Sequence, residues 1–117
     1  MGSICGHPRV YVAGPITKGD QFVNVKRAME VANQLWTMGF IPFVPHLSAL
    51  WQMNHPRSHQ DWLDYDLHWL AQCNVLYRMP GESVGANQEE LWARDMEIPI
   101  FTTLTGIAKW RDELYAP

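Results

Sequence analysis

The sequence predicts an α/β fold: a single-domain three-layer α/β/α sandwich around a parallel sheet of four to five strands. Three observations carry this expectation. Strand-like and helix-like segments alternate four times along the 117 residues, an order that favours parallel strands covered by helices on both faces. The candidate strands are short apolar runs that end in Gly-Pro, Pro or Pro-Gly pairs, the strongest local breakers. The chain has no internal repeat, low-complexity stretch or linker, and its length suits one domain, so residues 1–117 are expected to form one unit.

Arg9 to Ala13 reads as the first strand (Val10, Tyr11, Val12) and stops at Gly14-Pro15. Phe22, Val25, Met29, Ala32 and Trp36 then recur at three and four residues, which predicts an amphipathic helix ended by Gly39. Ile41 to Val44 is a second strand, followed by a long loop through Pro45, His46, Trp51, His55 and Pro56. Loops of that length are usually functional, and this one's Trp and Leu content argues against disorder. Next come a helix over about 60–72, a strand over 75–79 broken by Pro80-Gly81, a helix over about 85–96, a strand over 98–102 and a last helix over about 106–114. In Rossmann-like and flavodoxin-like sheets of this kind, ligands sit at the carboxyl ends of the strands. That gathers Gly14-Pro15, Pro45-His46 and the 80–85 turn around one site.

Composition narrows the partners. A formal charge of −3 without a basic run lacks the footprint of a nucleic-acid polymer binder. No apolar run approaches the ~20 residues that span a bilayer, and the first residues show neither a secretory nor a myristoylation pattern. Cys5 and Cys73 form no disulfide framework, so a cytoplasmic setting is expected. His46, His55, His59 and His68 lack metal-ligand spacing, and no metal is expected. Six Trp in so short a chain suggest that some line a pocket for something flat or form a subunit contact. Trp51 and Trp62 could sandwich a base.

Helix periodicity isolates two acids. Advancing ~100° per residue from Leu63 sets Leu67, Leu70 and Ala71 near it, with Asp61, Asp64, Tyr65, His68 and Gln72 opposite. Asp66 lands about 60° from Leu63, on the apolar half. In the next helix Gly85, Ala86, Trp92, Ala93 and Met96 all fall within about 60° of Glu89, while Glu90 points sideways with Arg94. A carboxylate on a buried face is costly unless bonded or paired. Asp66 could bond a loop backbone or His46, and Glu89 could pair with Arg9, Arg57 or Arg78. Both helices flank the same strand, however. Two carboxyl groups facing one cleft, beside a Ser83-x-Gly85 turn that opens a helix, suit a glycosidic-bond site. That helix start would favour a phosphate or sugar hydroxyl, although Ser is also a routine N-cap.

Three segments carry a resemblance. Tyr11-Val12-Ala13-Gly14-Pro15-Ile16 resembles the opening motif of the nucleoside 2-deoxyribosyltransferase superfamily. Asp66-Leu67-His68-Trp69-Leu70-Ala71-Gln72-Cys73-Asn74 resembles its Asp-Leu-x-x-Leu-x-x-x-Asp helix. Ser83-Val84-Gly85-Ala86-Asn87-Gln88-Glu89 is similar to its nucleophile motif, where a Ser or Asp lies six residues before the catalytic Glu. The nearest texture is that of short phage and bacterial members and of deoxynucleoside 5'-monophosphate N-glycosidases.

The resemblance implies that Glu89 is the nucleophile, that Asp66 is the acid/base serving the departing nucleobase, and that Tyr11 orients Glu89. It places Gly14, Pro15, Ile16, Ser83, Gly85 and His46 around a nucleoside or nucleotide substrate. It also implies cleavage or transfer at the N-glycosidic bond, hydrolysis being favoured over base exchange, with no metal or organic cofactor and with a homodimer or higher homo-oligomer. Ser83 in place of an acid favours a nucleotide. Two departures oppose that: Pro15 stands where nucleotide hydrolases carry a phosphate-binding Ser, and Asn74 replaces the usual Asp. Thr17, Lys18 and the Gly14 backbone could substitute. Asn24 is expected to be solvated or to cap a turn. The alternatives are a non-catalytic nucleotide-binding or sensing module on the same fold and a structural oligomer component. The latter requires Asp66 and Glu89 in satisfied salt bridges with no cleft beside them.

Overall fold

The computed structural model describes residues 7–114; Cys5 and the pattern read in the first residues lie outside them. Four parallel strands form one sheet in the order β2-β1-β3-β4: β1 (Arg9–Ala13), β2 (Ile41–Phe43), β3 (Val75–Arg78) and β4 (Ile100–Phe101). Side chains alternate across β1, so Val10 and Val12 face one layer while Tyr11 and Ala13 face the other. The first layer holds α1 (Gln21–Thr37) and α5 (Leu104–Leu114), which bury Ala28, Leu35 and Ile107 on the sheet. The second holds α3 (His59–Leu70) and α4 (Val84–Asp95), which bury Leu70, Ala86 and Ala93. This is the expected three-layer sandwich.

The helix starts are set by side-chain caps. Asp20 accepts from the Phe22 and Val23 amides, Ser58 from Asp61, Ser83 from Ala86 and Thr103 from Gly106. Ser58 and Thr103 explain why α3 and α5 begin one or two residues ahead of the periodicity estimate. β4 is shorter than expected because Glu97 takes a left-handed φ of 59°, and the chain re-enters the sheet only at Ile100.

Two expectations are corrected. The segment read as a long loop is a 3-10 turn over Pro45–Leu47 followed by a seven-residue helix, α2 (Ser48–Asn54). Two turns bracketed by Pro45 and Pro56 are too short to display a period. The apolar recurrence in α1 also mixes two faces. Ala28, Ala32 and Leu35 go into the core, whereas Phe22, Met29 and Trp36 point to solvent.

The strand order reverses between β1 and β3, so their carboxyl ends open a crevice. Gly14 and Gly81 let the two loops there meet: a Cβ on Gly14 would come within 2.9 Å of Met79 Cβ, and one on Gly81 within 2.8 Å of Pro15 Cγ. Gly81 also has φ +115°, a conformation disfavoured for other residues. Asn24 ties the β1 loop from below, donating to Ile16 O at 3.1 Å and Lys18 O at 2.7 Å. Asn74 lies at the opposite, amino-terminal end of the sheet, where its Oδ1 accepts the Arg9 amide at 2.9 Å. Its departure from the motif therefore does not touch the crevice.

Candidate active site

A cleft of about 340 Å3 occupies the crevice, with Asp66 and Glu89 both in its lining. α3 delivers Asp66 and α4 delivers Glu89, each from the apolar side of its helix, and both side chains are buried. Gly14, Ile16, Ser83 and Gly85 line the same cleft. Tyr11 lies beneath it, fully buried on β1, and its hydroxyl donates to Glu89 Oε2. Tyr11 stays a phenol: burial first, then the Glu89 and Asp66 charges, push its pKa well up.

Neither carboxyl group is neutralised by an ion pair among the described residues. Arg78 instead faces Glu90, at 4.0 Å, and holds the β3–α4 loop by donating to Gly81 O and Asn87 Oδ1. Asp66 Oδ1 has no hydrogen-bond partner there, and no bond joins it to His46. Burial pushes Asp66 up to about 7. Burial also pushes Glu89 up to about 8; the Tyr11 hydrogen bond opposes this, Asp66 adds to it and the Arg78 charge opposes it again. Burial thus favours the protonated form of both carboxyl groups, so that one of the pair can hold a proton near neutrality. The arrangement required of a purely structural pair, saturated salt bridges without a cleft, is not the one seen.

Ser83 caps α4 by accepting the Ala86 amide at 3.1 Å, which leaves its own hydroxyl proton free to donate into the cleft. Lys18 reaches the rim but is bridged to Glu82. Sequence reasoning missed that α2 forms one wall: Ser48, Ala49 and Gln52 face the cleft at helical spacing. Gln52 Oε1 accepts both the Trp62 indole N–H at 2.5 Å and the Arg57 amide at 2.9 Å, pinning the α2–α3 turn.

Three expected contacts fall elsewhere. Pro15 packs against Gly81 and lines a neighbouring notch rather than the cleft. His46 is fully buried beside the Gly14-Pro15 backbone with neither ring nitrogen hydrogen-bonded, and burial lowers its pKa to about 4. It lines a groove between α1 and α2, outside the cleft. Trp51 and Trp62 do not frame a gap for a base. Their rings meet edge to face at 5.3 Å, and only Trp62 lines the cleft. They continue an aromatic chain through Tyr65, Trp69 and Phe43 to Tyr11. Among the described residues no group of three or more His, Cys, Asp or Glu side chains is placed to hold a metal ion, and no helix is long and apolar enough to cross a membrane.

The fold and cleft define a Rossmann-like α/β protein with two buried carboxyl groups at the switch point of its sheet. The chain belongs to the family described as domain of unknown function (DUF7768), whose model matches residues 8–103. No curated protein matches it. Among solved structures it is similar to the 2-deoxyribosyltransferase of the psychrotolerant bacterium Bacillus psychrosaccharolyticus, a protein described as a biocatalyst for nucleoside synthesis. The TM-score is 0.55 and the identity 17%, over 79% of this chain and 69% of that one. The likeness is one of fold.

Proposed function

We propose that this chain, as one domain over residues 1–117, cleaves or transfers at the N-glycosidic bond of a 2'-deoxynucleoside or its 5'-monophosphate, with hydrolysis favoured over base exchange. The observation that carries the reading is the pair of buried carboxyl groups, Asp66 and Glu89, brought from two helices into one cleft with no ion pair to either among the described residues. In this reading a Glu89 carboxylate oxygen attacks the anomeric carbon as the bond to the base nitrogen breaks, and the Asp66 carboxyl group gives its proton to that nitrogen. The base leaves neutral and the deoxyribose remains as a Glu89 ester. Asp66, now a carboxylate, takes a proton from water, whose oxygen attacks the same carbon and frees Glu89; two displacements retain configuration. Tyr11 supports the carboxylate form of Glu89 in both steps. The Ser83 hydroxyl and the amino-terminal end of α4 would take the sugar 5' substituent. A nucleoside-processing neighbour on the same fold supports the substrate class, and a cytoplasmic setting fits it.

The test is a chromatographic product assay over deoxynucleosides and their monophosphates, with and without an acceptor base. Free base from monophosphates, lost in Glu89→Ala, is the expected result. Ligand binding without base release in either protein would instead make it a nucleotide-binding module.

A further inference from the structure

The notch beside the cleft has no part in the chemistry described above. It encloses about 320 Å3 between α1 and the two loops that meet at Pro15 and Gly81, and Lys18 lines both the notch and the cleft. Its backbone rim is held from both sides: Asn24 donates to Lys18 O at 2.7 Å, and Arg78 donates to Gly81 O at 2.9 Å. A preformed hollow of this size that adjoins a ligand cleft can take the part of a ligand that the cleft does not.

Charge says what that part is. Arg27, about one turn beyond Asn24 on α1, lines the notch and is paired with no acid among the described residues. Its guanidinium is a fork of donors that matches phosphate oxygens. Lys18 faces Glu82, the one acid in the lining, but the two side chains are 64% and 83% exposed, and so exposed a pair holds weakly. A phosphate, with more charge and more acceptor oxygens than a carboxylate, can take Lys18 from Glu82. Pro15 has neither a hydroxyl nor an N–H to offer, so an anion here is held by the two cations. Ser83, where the sugar 5' substituent is proposed to lie, is two residues along the chain from Gly81, at most about 7 Å. One or two phosphate groups added to a 5' phosphate at Ser83 span that distance.

We propose that the notch is a binding site for a phosphoanhydride chain, held by Lys18 and Arg27, and that the chain is the tail of a nucleoside 5'-di- or triphosphate whose sugar and base lie in the cleft. Glu82 occupies Lys18 until the chain arrives. The anion site stands independently of the glycosidase reading; the assignment of the chain to a nucleotide in the cleft rests on it.

Titration calorimetry of the full chain, without divalent cations, tests this with deoxynucleoside mono-, di- and triphosphates and with inorganic tripolyphosphate, a chain that carries no nucleoside. Affinity should rise about tenfold or more from mono- to triphosphate, and tripolyphosphate should compete with the triphosphate. Arg27→Ala should remove most of that gain, and Arg27→Lys, which keeps a charge, should restore part of it. Lys18→Met should weaken triphosphate binding, whereas Glu82→Gln should tighten it several-fold. A pair that only braced the two loops would make those two substitutions act alike. Mono- and triphosphates bound equally, without tripolyphosphate binding, overturn the proposal, as does a gain indifferent to Arg27 and Lys18. Tripolyphosphate bound through Arg27 with no gain for triphosphates overturns the assignment to a nucleotide tail and leaves a site for a free chain. Nucleobase release enters none of these measurements. Base release lost in Glu89→Ala beside equal mono- and triphosphate affinities would sink only this proposal. An Arg27-dependent triphosphate gain in a protein that releases no base would sink only the glycosidase reading.

Discussion

The Tyr11 hydroxyl reaches across 78 residues of chain to donate to Glu89 Oε2, joining the central strand to the helix that carries the proposed nucleophile. A hydrogen bond to a charged group is worth about 1.5–3 kcal/mol. Tyr11→Phe keeps the ring in its fully buried site and removes only that support. Nucleobase release should fall about 10- to 100-fold, with the acid limb of the pH profile moved upward. A steady-state pH series on the two proteins checks both.

Stability should report the same buried acids. A carboxyl group whose pKa is raised by folding binds its proton more tightly in the native state, so its full stability is present at low pH. That stability is lost as pH rises from the ordinary carboxyl range through about 7 for Asp66 and about 8 for Glu89. Glu89→Gln cannot ionise and still accepts the Tyr11 hydrogen bond. It should raise stability by on the order of 2–3 kcal/mol at pH 8.5 and change it little at pH 4, read by urea unfolding at the two pH values.

His46 has the opposite sign. Burial lowers its pKa to about 4, so the stability it contributes is present above the ordinary histidine value of about 6.5 and is lost as pH falls toward 4. His46→Leu should gain on the wild type by on the order of 2 kcal/mol at pH 4.5 relative to its standing at pH 8. The same unfolding series measures it.

If Asp66 and Glu89 act as proposed, their pKa values, raised to about 7 and about 8, predict a narrow bell-shaped rate profile whose limbs belong to the pair rather than to either residue. Asp66→Asn removes the proton donor and should abolish release of ordinary bases while sparing a 7-methylated purine, which departs without protonation. Equal loss on both substrates would remove Asp66 from the acid's role.

Ser83 separates capping from recognition. Ser83→Ala loses the Ala86 cap and should cost about 1 kcal/mol in stability. Ser83→Asp keeps a cap but puts a negative charge where the sugar 5' substituent is proposed to lie. Its kcat/KM should drop at least tenfold for monophosphates relative to nucleosides, with stability near the wild type. An unchanged preference would move that substituent elsewhere.

Much of this was legible from residues alone. Val10-Tyr11-Val12 ending at Gly14-Pro15 marks the central strand, and helix periodicity singles out Asp66 and Glu89 because an acid among Leu or Ala neighbours needs a hydrogen bond, an ionic partner or a reaction to justify it. What stayed hidden depends on neighbours rather than on period. α2 is shorter than two full periods, so the wall it builds with Ser48 and Gln52 left no trace in the pattern. In α1 two apolar stripes overlap, and a count cannot tell which meets the sheet. The edge-to-face contact of Trp51 with Trp62, and the displacement of His46 and Pro15 from the cleft, arise from packing between segments far apart in the chain.

The aromatic chain from Trp51 to Tyr11 gives the molecule a built-in optical readout. Rings 5.3 to 6.3 Å apart exchange excitation energy, so light absorbed anywhere along it can be emitted from the cleft-lining Trp62. Trp110 sits against Phe101 on the other side of the sheet, outside that chain. Cleft occupancy can therefore be followed by intrinsic emission and near-ultraviolet dichroism, without a dye or a coupled reaction.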